Sequence, residues 1–82
     1  MEVLNIRSPF RPQDIAAFDV QLGPHVRLYS LALRKLENGH YRVMAPKSGG
    51  EHVATFTPVI ASAITKEVLK TLEGTQPNDR IN

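Results

Sequence analysis

Asn38-Gly39 lies between two stretches of mixed apolar and basic residues, 25–36 (HVRLYSLALRKL) and 40–45 (HYRVMA). Asn-Gly is the dipeptide that best tolerates the two positive φ angles of a type I′ turn, so the sequence predicts a hairpin closed by a two-residue loop. In that register Glu37 faces His40, Leu36 faces Tyr41, Lys35 faces Arg42, Arg34 faces Val43 and Leu33 faces Met44. One face of the hairpin then carries Ala32, Leu36, Tyr41, Val43 and Ala45, and the other carries Leu31, Leu33 and Met44. Both faces are partly apolar, so both require cover, unless a β-bulge in the long strand re-sorts them.

The remaining chain supplies one more layer. Residues 2–7 (EVLNIR) predict a short strand, interrupted by the Ser8-Pro9 and Arg11-Pro12 steps because proline cannot donate to a ladder. Residues 14–22 alternate, with Ala16, Phe18, Val20 and Leu22 on one face and Asp19 and Gln21 on the other. Gly23-Pro24 predicts a turn, 46–50 (PKSGG) a flexible loop, and 52–57 (HVATFT) a further strand. After Pro58 the period changes: Ile60, Ile64, Val68 and Leu72, joined by Ala61 and Leu69, line one side of a helix whose other side holds Lys66, Glu67, Lys70 and Glu73. Thr57 and Ser62 are both acceptable caps, and Gly74 is a natural stop. The fold class expected is α+β: an antiparallel β-sheet of four to five strands with one C-terminal amphipathic helix. The division is a single domain over 1–74 and a polar tail over 75–82.

A helix on one side leaves the second sheet face open. At 82 residues and 9.1 kDa a lone domain is marginally stable, and the absence of cysteine removes disulfides and thiolate zinc sites as reinforcement. Self-association is the remaining remedy, so the expectation is a homodimer joined through the sheet, with Leu31, Leu33 and Met44 at the interface. No run approaches the ~20 apolar residues of a membrane span, and the first ten residues lack the basic start and apolar core of a signal peptide. A cytoplasmic protein without membrane contact is expected.

The net charge of +2 is unevenly spread. Residues 25–50 hold Arg27, Arg34, Lys35, Arg42 and Lys47 against Glu37 alone, while each flank carries a net −1. Lys35 facing Arg42 next to the hairpin tip is unfavourable without a counter-charge, which phosphate oxygens or Glu37 could supply. Tyr29, Tyr41 and His40 offer surfaces for base stacking, although Tyr41 is equally suited to a core. His25, His40 and His52 match no metal-ligand spacing, so no metal or cofactor is expected. Asp14 and Asp19, five apart, fall on opposite strand faces and make no acid/base pair. Lys47-Ser48-Gly49-Gly50 lacks the full phosphate-loop spacing. The sequence therefore predicts a protein without catalysis.

The segment from about 22 to 72 resembles the stage V sporulation protein G (SpoVG) family of small bacterial regulators. The resemblance rests on VRLYSLALRKL, the Asn-Gly hairpin, YRVMAPKS, the glycine loop, the strand entering Thr57-Pro58 and the terminal helix. It implies an α+β dimer joined through its sheets and a site-specific nucleic-acid-binding regulator. Where that family carries a small-residue, Arg and Lys stretch at its helix start, this chain reads Ser62-Ala63-Ile64-Thr65-Lys66, so Lys66 alone is carried over as a contact. The resulting expectation is a homodimer binding DNA or RNA through Arg27, Arg34, Lys35, Arg42, Lys47 and Lys66. The alternative is a protein-interaction module that receives a partner at an exposed sheet face or edge strand.

Overall fold

The alternating runs pair with their neighbours in sequence, as short connections dictate. In the computed structural model, which describes residues 1–75, β1 (Glu2–Arg7), β2 (Asp14–Leu22), β3 (Val26–Lys35) and β4 (Tyr41–Met44) form one antiparallel sheet in that order. Lys47–Ser48 (β5) and Glu51–His52 (β6) make a separate two-stranded hairpin. The helix α1 (Pro58–Thr75) lies across one face of the sheet and touches both edge strands, β1 and β4. The α+β class is the one expected. No helix among the described residues is long and apolar enough to cross a membrane.

The core lies between that face and the helix. Phe18 and Val20 of β2, Leu31 and Leu33 of β3, Val43 of β4 and Ala45 meet Ile64 and Val68 of α1, all essentially inaccessible to water. Of the two possible caps the helix uses Thr57, whose hydroxyl accepts from the Ile60 N–H at 3.5 Å while Pro58 takes the first helical position. It runs one residue past Gly74, and residues 76–82 of the polar tail lie outside the described residues.

The predicted strand over 52–57 is not in the sheet. Only Glu51–His52 pairs, with Lys47–Ser48, while Ala54 and Phe56 pack against the core from an irregular connector and Val53 is exposed. Its alternation was a true sign of one buried side, which a single extended connector satisfies as well as a strand does. The loop over 46–50 is likewise a tight turn, in which Gly49 and Gly50 adopt φ of 62° and 86° between β5 and β6.

The β3–β4 hairpin differs from expectation by one residue. The observed pairs are Lys35 with Tyr41, Arg34 with Arg42, Leu33 with Val43 and Ala32 with Met44. The Asn38 side chain accepts from the His40 N–H at 3.0 Å, and only Gly39, at φ 87°, enters the left-handed region. The Gly39 N–H reaches the Leu36 carbonyl at 2.9 Å and the Leu36 N–H reaches the His40 carbonyl at 2.7 Å, which closes a three-residue loop. A one-residue slip exchanges the faces. Leu31 and Leu33, expected on an open face as a dimer interface, lie instead in the core with Tyr41, Val43 and Ala45, and only Met44 stays on the outer face, now beside Ala32.

Asp19, near the middle of β2, is only 5% exposed. Its Oδ1 accepts from the Ser30 N–H at 2.9 Å and from Arg7 Nη2 at 3.2 Å, and its Oδ2 accepts from the Asn5 amide at 2.9 Å. The ladder shifts on both sides of it: β1 bulges at Asn5 (φ 54°) and β3 at Ser30 (φ 59°). Left-handed conformations cost non-glycine residues about 1–2 kcal/mol each, and the hydrogen bonds to the carboxylate offset that strain. Burial would raise the Asp19 carboxyl, but the Ser30 N–H, the Asn5 amide and Arg7 outweigh it and hold the group below its ordinary value. Its contribution to stability is therefore present above about pH 4 and is lost as pH falls through the depressed folded value. Asp19→Ala is expected to destabilise by about 3 kcal/mol, since it strands three donors. Urea unfolding at pH 7, 4 and 3 tests this: Asp19→Asn should show a shallower fall in midpoint toward acid than the native chain, and parallel curves would refute the assignment.

Candidate nucleic-acid interface

With the helix covering one face, the site is decided by what the bulges send to the other. A third bulge, at Ile15, shifts the β2–β3 ladder between Asp14–Arg34 and Ala16–Leu33. It turns Asp14 onto the outer face, the same face as Asp19, and corrects the expectation that the two carboxylates oppose each other. Arg34 Nε donates to Asp14 Oδ1 at 2.7 Å, and the Asp14 side chain is only 4% exposed. The two buried acids of the outer face are thus individually neutralised, by Arg34 and Arg7, and Glu2, across from Gln21 at the end of β1, is exposed.

The arginines of this face are half-buried where they are paired, at Arg7 and Arg34, and exposed at Arg27 and Arg42. Arg27 and Arg34, on β3, stand about 23 Å apart along the strand. Arg42 faces Arg34 from β4, where it is exposed and its side chain has no hydrogen bond or ion pair among the described residues. Arg27 Nε donates to Gln21 Oε1 at 2.7 Å. Arg7 reaches across β2 to Asp19 and to Ser30 Oγ, the latter at 3.2 Å. From the flanking connections Arg11 and Lys47 border a cleft of about 310 Å³ whose lining also includes Arg34.

Four of the six residues expected to bind phosphate, Arg27, Arg34, Arg42 and Lys47, therefore stand on or beside one face. Lys35 and Lys66 do not join them. The slipped hairpin places Lys35 opposite Tyr41 on the core side, its Nζ 5.9 Å from the centre of that ring, rather than opposite Arg42. Lys66 projects from the solvent side of α1, on the other layer. The counter-charge required by facing cations is internal: Arg34 opposes Arg42, and Asp14 neutralises Arg34. Tyr41 packs against the core, while Tyr29 is 62% exposed.

Three residues escaped the sequence reading: Arg7, Phe10 and Arg11. Their block carries a net −1 only because Asp14 and Asp19 are counted in it, and both carboxylates turn out to be internal. The pair of arginines around Pro9-Phe10 was the available signal.

A second feature lies at the β4 edge. The Leu36–His40 pair is hydrogen-bonded, so by alternation Arg42 and Met44 point their backbone groups at β3 while Tyr41 and Val43 point theirs away. Those outward groups have no partner among the described residues. They open onto a groove of about 790 Å³ whose far wall is the start of α1, at Pro58, Ala61 and Thr65.

Among the described residues no group of three or more His, Asp and Glu side chains could hold a metal ion. His25 sits in the β2–β3 turn, His40 borders the β3–β4 hairpin loop, and His52 Nδ1 lies 2.9 Å from the Ala45 carbonyl. Searches against family models, curated proteins and solved structures found no match to this chain.

The geometry separates structural from available arginines. Arg34→Ala, which leaves Asp14 buried without its cation, is expected to cost about 3 kcal/mol in urea unfolding. Arg42→Ala should change stability by less than about 0.5 kcal/mol. Equal effects would contradict the division.

Proposed function

We propose that this chain is a non-catalytic nucleic-acid-binding regulatory protein that acts as a homodimer, with the outer sheet face as its binding surface. One observation carries the reading: the cations of this face are accessible while both of its buried carboxylates are spent on internal ion pairs. A phosphate backbone laid on the sheet meets Arg11, Arg27, Arg42 and Lys47, and the exposed acids nearest to them, Glu2 across Gln21 from Arg27 and Glu51 in the hairpin of Lys47, lie at the two ends of that surface. The resemblance of 22–72 to the SpoVG family points the same way. Neutralising four phosphates gives a log–log salt slope of about −3.6 on duplex DNA and about −2.8 on a single strand.

Binding to labelled DNA and RNA between 25 and 200 mM salt, values on the order chosen to resolve such slopes, tests the proposal. The double charge reversal Arg42→Glu with Lys47→Glu is expected to abolish binding, whereas Lys35→Glu with Lys66→Glu, on the other layer, should leave most of it. No binding at the lowest salt, or equal loss in both variants, would overturn the reading.

A second reading, a module that takes a partner strand, is favoured by the open β4 edge and its groove. The two readings meet if the added strand is β4 of a second copy, because antiparallel pairing about a two-fold axis normal to the sheet puts both cationic faces on one side. Tyr41→Pro removes an outward N–H without touching the β3–β4 ladder. It is expected to convert a dimer into a monomer in light scattering behind size exclusion, and a native chain that is already monomeric at micromolar concentration would refute the dimer.

A further inference from the structure

Phe10 is an aromatic ring that is 71% exposed on a connection between two prolines, and a cation stands against it. The Arg7 guanidinium lies over the ring, 5.9 Å from its centre. That guanidinium is held in turn by the Asn5 carbonyl at 2.7 Å, by Asp19 and by Ser30 Oγ. A partly buried network built on Asp19 thus places a guanidinium against a ring that projects from the surface of the sheet. Beside the ring, the floor of the 310 Å³ cleft includes Ala32 and Met44, and Arg11, Arg34 and Lys47 border it. Asp14 is the one acid of that lining, and Arg34 already neutralises it.

An apolar floor, an exposed aromatic ring and three flanking cations are the chemistry of a nucleobase and its phosphates. Duplex DNA offers the phosphates and keeps its base faces stacked inside the helix, so it cannot use Phe10. A single strand offers both. We propose that the outer face binds single-stranded nucleic acid, with one unstacked base placed on Phe10 and the adjoining phosphates against Arg11 and Lys47. This inference rests on the nucleic-acid reading above and adds to it the strandedness and the stacking residue.

Base–aromatic stacking of this kind changes affinity by about one to two orders of magnitude on truncation. Anisotropy with labelled eight-nucleotide DNA and RNA oligomers and with the matching duplexes at low salt tests the inference. The expected result is tighter binding of the single strands, about a tenfold loss in Phe10→Ala, and recovery in Phe10→Trp. The chain contains no tryptophan, so Phe10→Trp also introduces a lone fluorophore whose emission a stacked base should quench. Thermal unfolding of Phe10→Ala checks that the sheet survives. Duplex binding equal to or tighter than single-strand binding, or full affinity in Phe10→Ala, overturns this inference and leaves the broader reading standing. Absence of binding to every oligomer and duplex overturns both.

Discussion

A carboxylate buried between strands governs this sheet. Asp19 has three donor-bearing neighbours to satisfy it only because β1 and β3 both bulge where they pass it, presenting Asn5 and Arg7 from one side and the Ser30 amide from the other. Had either ladder stayed regular, the charge would have been desolvated without full compensation, at a cost of several kcal/mol. The strained backbone at Asn5 and Ser30 and the ionised Asp19 stabilise one another.

The bulges set the phase of everything beyond them. They keep Val3, Ile6, Leu28, Leu31 and Leu33 toward the helix although the sequence offsets them irregularly, and they send Arg7 and Arg27 outward. The Ile15 bulge does the same for Asp14, so that Arg34 finds its partner on the outer face. The result is a sheet with one dry face against α1 and one largely cationic face whose two buried acids are internally paired. That asymmetry makes the outer face the natural candidate for phosphate contact, and the network that anchors Asp19 also places a guanidinium against Phe10.

The bounds of β1 to β4, the change of period after Pro58 and the apolar stripe of Ile64, Val68 and Leu72 were legible to within a residue or so because each rests on local periodicity. The hairpin was legible in place but not in register. Asn38 can serve a two-residue turn through its own positive φ or a three-residue loop through its side chain, and its bond to the His40 N–H selected the second. That choice moved Leu31 and Leu33 from a supposed interface into the core and replaced the Lys35–Arg42 pair with Arg34–Arg42. The type I′ geometry expected at Asn38-Gly39 has its positive φ angles instead at Gly49-Gly50, where neither residue has a Cβ to resist them.

From sequence alone came the class of fold, the positions of the four strands of its sheet, the helix and the concentration of basic residues around the hairpin, because these follow from composition and spacing along the chain. Which face each basic residue occupies was decided only in three dimensions. A strand's side-chain phase reverses with each inserted residue, and the insertions at Asn5, Ile15 and Ser30 exist to satisfy or neutralise two carboxylates through partners 11 to 20 residues away.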